Sequence, residues 1–307
     1  MALDKISIVI PTFNRNKELK RAINSVLNQK YVTNYEIIVL HNGPSLETQN
    51  LVKSFSSVNI HYYENQTNVG MTNNWNKAIR LANEDWIIML HDDDELCPSY
   101  FEWLNFIMKK HKFDILIPPN NFDEIGKKTY KIIDIKGYQL SFMNIIGPPV
   151  GMVFKKESLK SLFKEEYYPS IDYKFYSEVC SYLRVLKVKG VPQVKYNLGV
   201  NESMKPETIL KFLNRDRVIK RENEKYCSWW AKILSRRFLP YYEQYYIRQM
   251  QKKFNIEYDS RFDKWTETKV SFFGNFLFQA IQIVLRVTVL FNSKKIEYES
   301  KFYQPKN

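Results

Sequence analysis

The sequence is short of the residues in which most phosphate- and metal-binding motifs are written. It has nine glycines in 307 residues, and no two of them form a G-x-G pair. That excludes the glycine fingerprint of dinucleotide-binding folds, and no Walker loop is present to cradle phosphates. Three cysteines, Cys97, Cys180 and Cys227, are too widely spaced for a disulfide framework or a zinc site, so a reducing, cytosolic setting is expected. Met1 to Lys5 is polar and leads straight into a short apolar run rather than a long one, so no secretory signal is expected. Acidic residues are outnumbered, 33 against 46 Lys and Arg, for a net charge of +13. Such a balance calls for an acidic partner: nucleic acid, anionic lipid or a phosphorylated substrate. Composition does not choose among them.

What is present suffices for one sizeable core and an appendage, since 44% of the chain is hydrophobic. One stretch stands out, Trp86-Ile-Ile-Met-Leu-His-Asp-Asp-Asp-Glu-Leu96. It opens as a buried strand and breaks into Asp92, Asp93, Asp94 and Glu95. Adjacent aspartates repel one another, and a fold gains nothing by placing them at a strand end. A divalent cation reverses that argument, because Mg2+ and Mn2+ take carboxylate oxygens together with phosphate oxygens. A solvated acidic turn is the plain alternative.

The residues before it favour the first reading. Ile6–Ile10 predicts a strand closed by Pro11, and Asn16 can cap a helix with Leu19, Ala22, Ile23, Val26 and Leu27 on one face. Strands follow at Tyr35–Leu40 and Asn59–Tyr63, with helices at Leu46–Ser56 and around Trp75, Ala78, Ile79 and Ala82. Strand and helix alternate four times before the aspartates, a pattern of βαβ units in a mostly parallel, two-faced α/β sheet. The unusual residues fall after strands: Thr12–Arg15, His41–Ser45, Asn68–Gly70 and the aspartates. They converge on one sheet edge, where open α/β sheets bind ligands.

Ser7-Ile-Val-Ile-Pro-Thr-Phe-Asn-Arg15, Ser25-Val-Leu-Asn-Gln29, Glu36-Ile-Ile-Val-Leu40, Asn68-Val-Gly70 and the aspartate cluster together resemble glycosyltransferase family 2, over roughly residues 5 to 200. The resemblance implies the Rossmann-like GT-A fold, an inverting transfer from a nucleotide diphosphate sugar, UDP-linked by default, and a divalent metal, Mn2+ or Mg2+. It assigns Pro11, Thr12, Asn14, Arg15, His41, Asn42, Gly43, Asn68, Gly70, Asn76, Asp92 and Asp93 to the nucleotide-sugar pocket. Asp93 and Asp94 are assigned to the metal, and His91, Pro149 and Gly151 to the acceptor side. Three positions depart from the family pattern: His41 and His91 stand where aspartates are usual, and Trp75 precedes Asn76 where an arginine is usual.

Further on, a helix with Tyr100, Phe101, Trp103, Leu104 and Ile107, a strand at Asp114–Ile117 and a polar loop around 120–128 are expected. Pro148-Pro-Val-Gly-Met-Val-Phe154 reads as a turn into a strand, either beside the acceptor pocket or as an ordinary edge. In Tyr168-Pro-Ser-Ile-Asp-Tyr-Lys-Phe-Tyr176, Asp172 stands where the family places its catalytic base, and a helix N-cap is the plainer role. Gln193–Val200 reads as a strand. No histidine follows near Asn201-Glu-Ser203, so the metal would rest on carboxylates and diphosphate.

The domain boundary is expected at 203/204, with residues 204–307 a basic, aromatic-rich helical extension. Residues 272–291 are strongly apolar except for Asn275, Gln279, Gln282 and Arg286, which form one polar stripe on a helix. A spanning helix would bury that stripe at high cost. The segment either lies in the plane of a membrane surface or packs on the domain. No nucleic-acid module is recognisable. The expected partners are a nucleotide sugar, a glycan or lipid-linked glycan acceptor and, through the C-terminal region, the inner face of the cell membrane, with a role in cell-surface polysaccharide assembly. A non-catalytic scaffold and a nucleotidyltransferase are the rival functions, and the latter normally needs a glycine-rich loop that Pro11–Arg15 lacks.

Overall fold

The apolar run near the start of the chain forms β1, Ile6–Thr12, buried along its whole length. A central strand covered on both faces has no solvent side, which is why it reads as a continuous apolar run. In this computed structural model, residues 5–31, 34–121, 129–197, 206–254 and 293–297 are described. After β1 come α1 (Asn16–Leu27), β2 (Tyr35–His41), α2 (Leu46–Lys53), β3 (Ile60–Glu64), α3 (Met71–Leu81) and β4 (Trp86–Met89). β2 and β4 flank β1 in parallel, and β3 extends the sheet beyond β2, also in parallel. The four-fold alternation expected from the sequence is therefore present.

The second part of the sheet is mixed. β5 (Glu95–Leu96), α4 (Tyr100–Lys110), β6 (Ile115–Ile117), β7 (Thr129–Ile135), β8 (Met152–Lys155), α5 (Ile171–Val179), β9 (Val185–Lys189) and β10 (Val194–Lys195) follow in order. Then come α6 (Pro206–Asn223), α7 (Trp229–Phe254) and β11 (Ser293–Glu297). The main sheet has nine strands in the order β11-β7-β9-β6-β8-β4-β1-β2-β3. β8 is antiparallel to β4 and β6, and β7 to β9 and β11, while β6 and β9 are parallel. Only β7 and β8 thus oppose the common direction, and the sheet is mostly parallel, as expected of the GT-A fold.

Alternation along β1 builds both cores. Ile6, Ile8 and Ile10 face α1, α2 and α4, whereas Val9 faces α3 and α5. Strands β7 and β9 have no counterpart in the sequence reading. Lysines interrupt their apolar pattern, and Lys187 of β9 is nonetheless buried, its Nζ 2.8 Å from the Ile146 carbonyl. Asn16 is not the cap expected of it. It is the first residue of α1, and its Oδ1 accepts from Thr48 Oγ1 at 2.7 Å. Of the strand expected over Gln193–Val200, residues 198–200 lie outside the described residues; Val194–Lys195 form β10, which pairs with β5 in a separate two-stranded sheet.

The C-terminal region is helical in α6 and α7 but returns a strand, β11, to the sheet edge. Asn201–Ser203, most of the polar loop at 120–128 and the apolar segment 272–291 lie outside the described residues. No helix among the described residues is long and apolar enough to cross a membrane.

Candidate active site

The acidic turn follows β4 and is tied down from three sides. Thr12 Oγ1, at the end of β1, donates to Asp92 Oδ2 at 2.7 Å. Arg15 Nη1 lies 2.8 Å from Asp93 Oδ2 and 3.5 Å from Asp92 Oδ1. Asn197, just beyond β10, donates its backbone N–H to Asp94 Oδ1 at 2.9 Å and its side-chain amide to the Asp93 carbonyl at 2.8 Å. A chain segment a hundred residues downstream thus fixes the turn.

These contacts do not relieve the carboxylates fully. Burial, opposed by the Thr12 hydroxyl, pushes Asp92 up to about 6. Burial and the neighbouring Asp93 push Asp94 up to about 8. Asp94 is completely buried, and its Oδ2 has no hydrogen-bond partner; neither has the buried Nε2 of His91. His91 Nδ1 is 3.6 Å from Asp94 Oδ2, and its ring stacks on Trp75 at 4.7 Å between centroids. One donor atom each from His91, Asp93 and Asp94 falls within a 4.8 Å span. With the unpartnered, buried Asp94 Oδ2 among them, donors at that spacing fit a divalent cation. His91, expected on the acceptor side, lies beside Asp93 and Asp94 and also lines the adjoining cleft.

The turn opens on a cleft of about 460 Å3. Of the expected site residues, Pro11, Thr12, Arg15, Asn42, Asn68, Gly70, His91, Asp92, Asp93, Pro149 and Asp172 line it. Asn42, Asn68 and Gly70 on the cleft wall are tied together by an asparagine network. Asn42 donates to Asn68 Oδ1 at 2.8 Å and accepts from the Val69 N–H at 2.9 Å, while Asn65 bridges Asn42 to Asn74. Gly70 turns into α3 at φ +81°, a conformation glycine adopts without a Cβ penalty.

Six expected site residues do not line the cleft. His41 spends both ring nitrogens on loop backbone, Nδ1 toward the Gly43 carbonyl at 2.7 Å and Nε2 accepting from the Asn14 N–H at 3.2 Å. It therefore ties Asn14 and Gly43 into the strand ends instead of reading a base. Asn76 turns away, bonding the Phe163 carbonyl and N–H at 2.7 and 3.0 Å. Gly151 packs against β10, where an added Cβ would meet Val194 Cγ2 at 2.6 Å. Asp94 completes the six, reaching the donor cluster from behind.

Asp172 lies in the first turn of α5, whose N-cap residue is Ser170, so it is not the cap. Its Oδ1 accepts from the Tyr173 N–H at 2.8 Å, and the Asn144 side chain also bonds it. Asn144 is oriented for this because its own Oδ1 accepts from the N–H groups of Ile146 and Gly147. Burial, then the nearby Asp216 charge, push Asp172 up to about 7 against those bonds. A carboxyl poised there suits proton abstraction near neutrality.

The sequence reading missed Asn144 and Asn197, and also Trp75, Tyr196, Thr208 and Phe212 as cleft residues. Thr208 and Phe212 belong to α6, so the boundary expected at 203/204 falls ahead of a helix that forms part of the cleft. No local signal marks these residues, because each acts through contacts with distant segments of chain or through the face its helix turns inward.

A mostly parallel sheet with an acidic, metal-compatible turn after its fourth strand defines a GT-A-fold glycosyltransferase. Residues 7–169, just over half of the chain, match Glycosyl transferase family 2, and the chain belongs to that family. It is 29% identical over 139 residues to poly(ribitol-phosphate) beta-N-acetylglucosaminyltransferase TarP of Staphylococcus aureus, covering 44% of this chain and 42% of that protein. The chain spans less than two thirds of the length of the curated relatives it matches. Among solved structures it is similar to S. aureus TarS residues 1–349 in complex with UDP-GlcNAc, at TM-score 0.56 and 17% identity, covering 70% of this chain and 65% of that one. It is also similar to the mannosyltransferase PcManGT of Pyrobaculum calidifontis in complex with GDP-Man and Mn2+, at TM-score 0.55 and 10% identity, covering 94% and 83%. At such identities these likenesses concern the fold.

Proposed function

We propose that this glycosyltransferase moves a sugar, with inversion, from a nucleoside diphosphate sugar to a hydroxyl of a glycan or lipid-linked glycan acceptor, in the assembly of a cell-surface polysaccharide. One observation carries the reading: the acidic turn and Asp172 open on a single cleft. UDP is the default donor nucleotide, in keeping with the TarS complex. His91, Asp93 and Asp94 would hold a divalent cation, which as a Lewis acid stabilises negative charge on the leaving diphosphate.

The protein's own residues do the remainder. Arg15 and Thr12 hold Asp93 and Asp92 in place at the rim. Asn42, Asn68 and Gly70 shape the nucleotide side. Asp172 takes the proton from the acceptor hydroxyl as its oxygen bonds to the anomeric carbon. The bond from that carbon to the diphosphate oxygen breaks, and its electron pair leaves with the diphosphate. The product has inverted configuration because attack and departure lie on opposite sides of one carbon.

The test is the full-length Asp172→Asn variant. Turnover is expected to fall by roughly 10^2–10^4, the usual worth of a general base, with UDP-sugar and Mn2+ binding by calorimetry retained. Unchanged turnover removes Asp172 from the mechanism. Absence of any metal-dependent nucleotide-sugar binding in the wild type favours the scaffold reading instead.

A cytoplasmic, membrane-apposed placement is supported by the net charge of +13 and by α7, which exposes Trp229 (75%) and Ile233 (56%) one turn apart beside Lys232, Arg236 and Arg237. Apolar side chains ringed by cations suit an anionic lipid surface. Co-sedimentation with phosphatidylglycerol vesicles is expected for the wild type and lost in Trp229→Ser/Ile233→Ser.

A further inference from the structure

The helix that carries Asp172 begins in an unusual way. Its N-cap residue, Ser170, is a type that ordinarily turns its hydroxyl onto the first-turn N–H groups. Here it makes no cap bond. The hydroxyl crosses to α6 instead and donates to Asp216 Oδ1 at 2.7 Å, with both side chains buried. Nothing in the proposed chemistry so far uses Asp216.

Asp216 belongs to one inward stripe of α6. Thr208 and Phe212 line the cleft, Asp216 meets Ser170, and Asn223 Oδ1 accepts from Ser177 near the far end of α5. Glu222 adds bonds from the Tyr167 hydroxyl at 2.8 Å and from Lys174 Nζ. Residues 208, 212, 216 and 223 recur at helical spacing, so a single face of α6 runs from the cleft along the whole of α5. The helix bearing the base is thereby clamped at both ends by one partner.

We propose that Asp216 is a positioning residue for the base Asp172, fixing the start of α5 through Ser170 and placing a second buried carboxyl behind the reacting one. The proposal rests on the reading of Asp172 as the base. Charge must be counted around both groups. Facing Asp172 are Tyr176 from its own helix, Tyr196 after β10, Tyr246 from α7 and Asp216 from α6. Facing Asp216 are Lys220 on α6, Glu243, Tyr242 and Tyr246 on α7, and Tyr173 on α5. Glu243 is neutralised by Arg217 in a two-pronged pair at 2.8 and 2.9 Å. Lys220 sits over the Tyr242 ring at 3.0 Å, and burial pulls its ammonium down toward the neutral form. Asp216 is therefore only partly cancelled, and it raises Asp172. Removing its charge lowers the pH at which Asp172 ionises.

The experiment compares four full-length proteins, wild type, Asp216→Asn, Ser170→Ala and Asp172→Asn, at saturating Mn2+. Measured are kcat, KM for the nucleotide sugar, the pH profile of kcat/KM and Tm. Asp216→Asn is expected to lower kcat about tenfold, one hydrogen bond's worth of misplacement, with donor KM within about twofold. Its acid limb should move to lower pH. Ser170→Ala should lower kcat several-fold and leave the limb in place, because it removes the bond and keeps the charge. A wild-type acid limb and wild-type kcat in Asp216→Asn overturn the proposal. If Asp216→Asn does not fold, unchanged kcat in Ser170→Ala overturns it. Surviving turnover in Asp172→Asn defeats the base reading itself, a different failure from a silent Asp216 beside a dead Asp172 variant.

Discussion

The cleft has two carboxylate-bearing parts, and they handle buried negative charge in opposite ways. The acidic turn gathers Asp92, Asp93 and Asp94 with a guanidinium, a hydroxyl and an asparagine around them, and still leaves donor atoms of Asp94 and His91 unpartnered. Asp172 stands alone on α5, with hydrogen bonds from Tyr173 and Asn144 and a second carboxyl, Asp216, at its back. The first arrangement invites a cation. The second has no cation to draw the carboxyl down and holds it near neutrality, where it can accept a proton and later release it. Burial raises the pKa in both places, and what surrounds the group decides whether that makes a binding site or a base.

The difference can be broken from either side. The largest effect is expected at the base, where Asp172→Asn should cost roughly 10^2–10^4 in kcat while Mn2+ binding is untouched. Asn197→Ala acts on the other part only. It deletes the side-chain bond to the Asp93 carbonyl and loosens the turn, so Mn2+ affinity should fall about 10- to 100-fold, as supporting-residue losses do at metal sites. Titration of Mn2+ by electron paramagnetic resonance reads this without turnover. If Asn197→Ala instead depressed kcat at saturating metal, the two parts would not be separable in the way described.

The parts also differ in how far the sequence discloses them. The acidic turn, Arg15 and Asn42 follow strands buried on both faces, and Thr12 ends one; their apolar runs are unmistakable, and a strand end fixes where its next residue lies. Asp172 is singled out by the family resemblance, the structure sets it on the cleft, and its alternative role as a cap falls because Ser170 is the N-cap residue. His41 and Asn76 illustrate the limit. Each is a polar residue in the expected place, but side-chain direction depends on partners, Asn14 and Gly43 for one and Phe163 for the other, that local pattern does not reveal. Asn144, Asn197 and Asp216 were invisible for the same reason, since their roles arise only when distant segments meet. β7 and β9 escaped notice because buried or paired lysines blur the alternation on which strands are recognised.

A smaller effect separates the parts by pH. The ordinary aspartate value of 3.8 is raised to about 7 at Asp172, and a base must be ionised to act. With metal saturating, kcat/KM should be level above about pH 7 and fall close to tenfold per unit below it. The stability contribution has the opposite sense. The folded state holds the proton more tightly than the unfolded chain, so the contribution of Asp172 is full below pH 3.8 and is lost as pH rises through about 7. Activity and stability at this one group therefore oppose each other across that window. A profile without an acid limb near 7 would assign the proton transfer elsewhere.

The smallest effect on turnover is expected at Gly151, which the family resemblance places beside the acceptor and the structure places against β10. Its φ of +63° and the 2.6 Å approach of Val194 Cγ2 leave no room for a methyl group. Its carbonyl also accepts from the buried Tyr100 hydroxyl at 2.6 Å, so the backbone cannot shift freely to make room. Gly151→Ala should lower stability by about 1–3 kcal/mol, or roughly 2–10 °C in Tm for a chain of this size. Below the transition, acceptor KM should stay within about twofold, because the residue packs behind the cleft and touches no substrate. An unchanged Tm with a raised acceptor KM would return Gly151 to the acceptor side and move the cleft wall inward past β8.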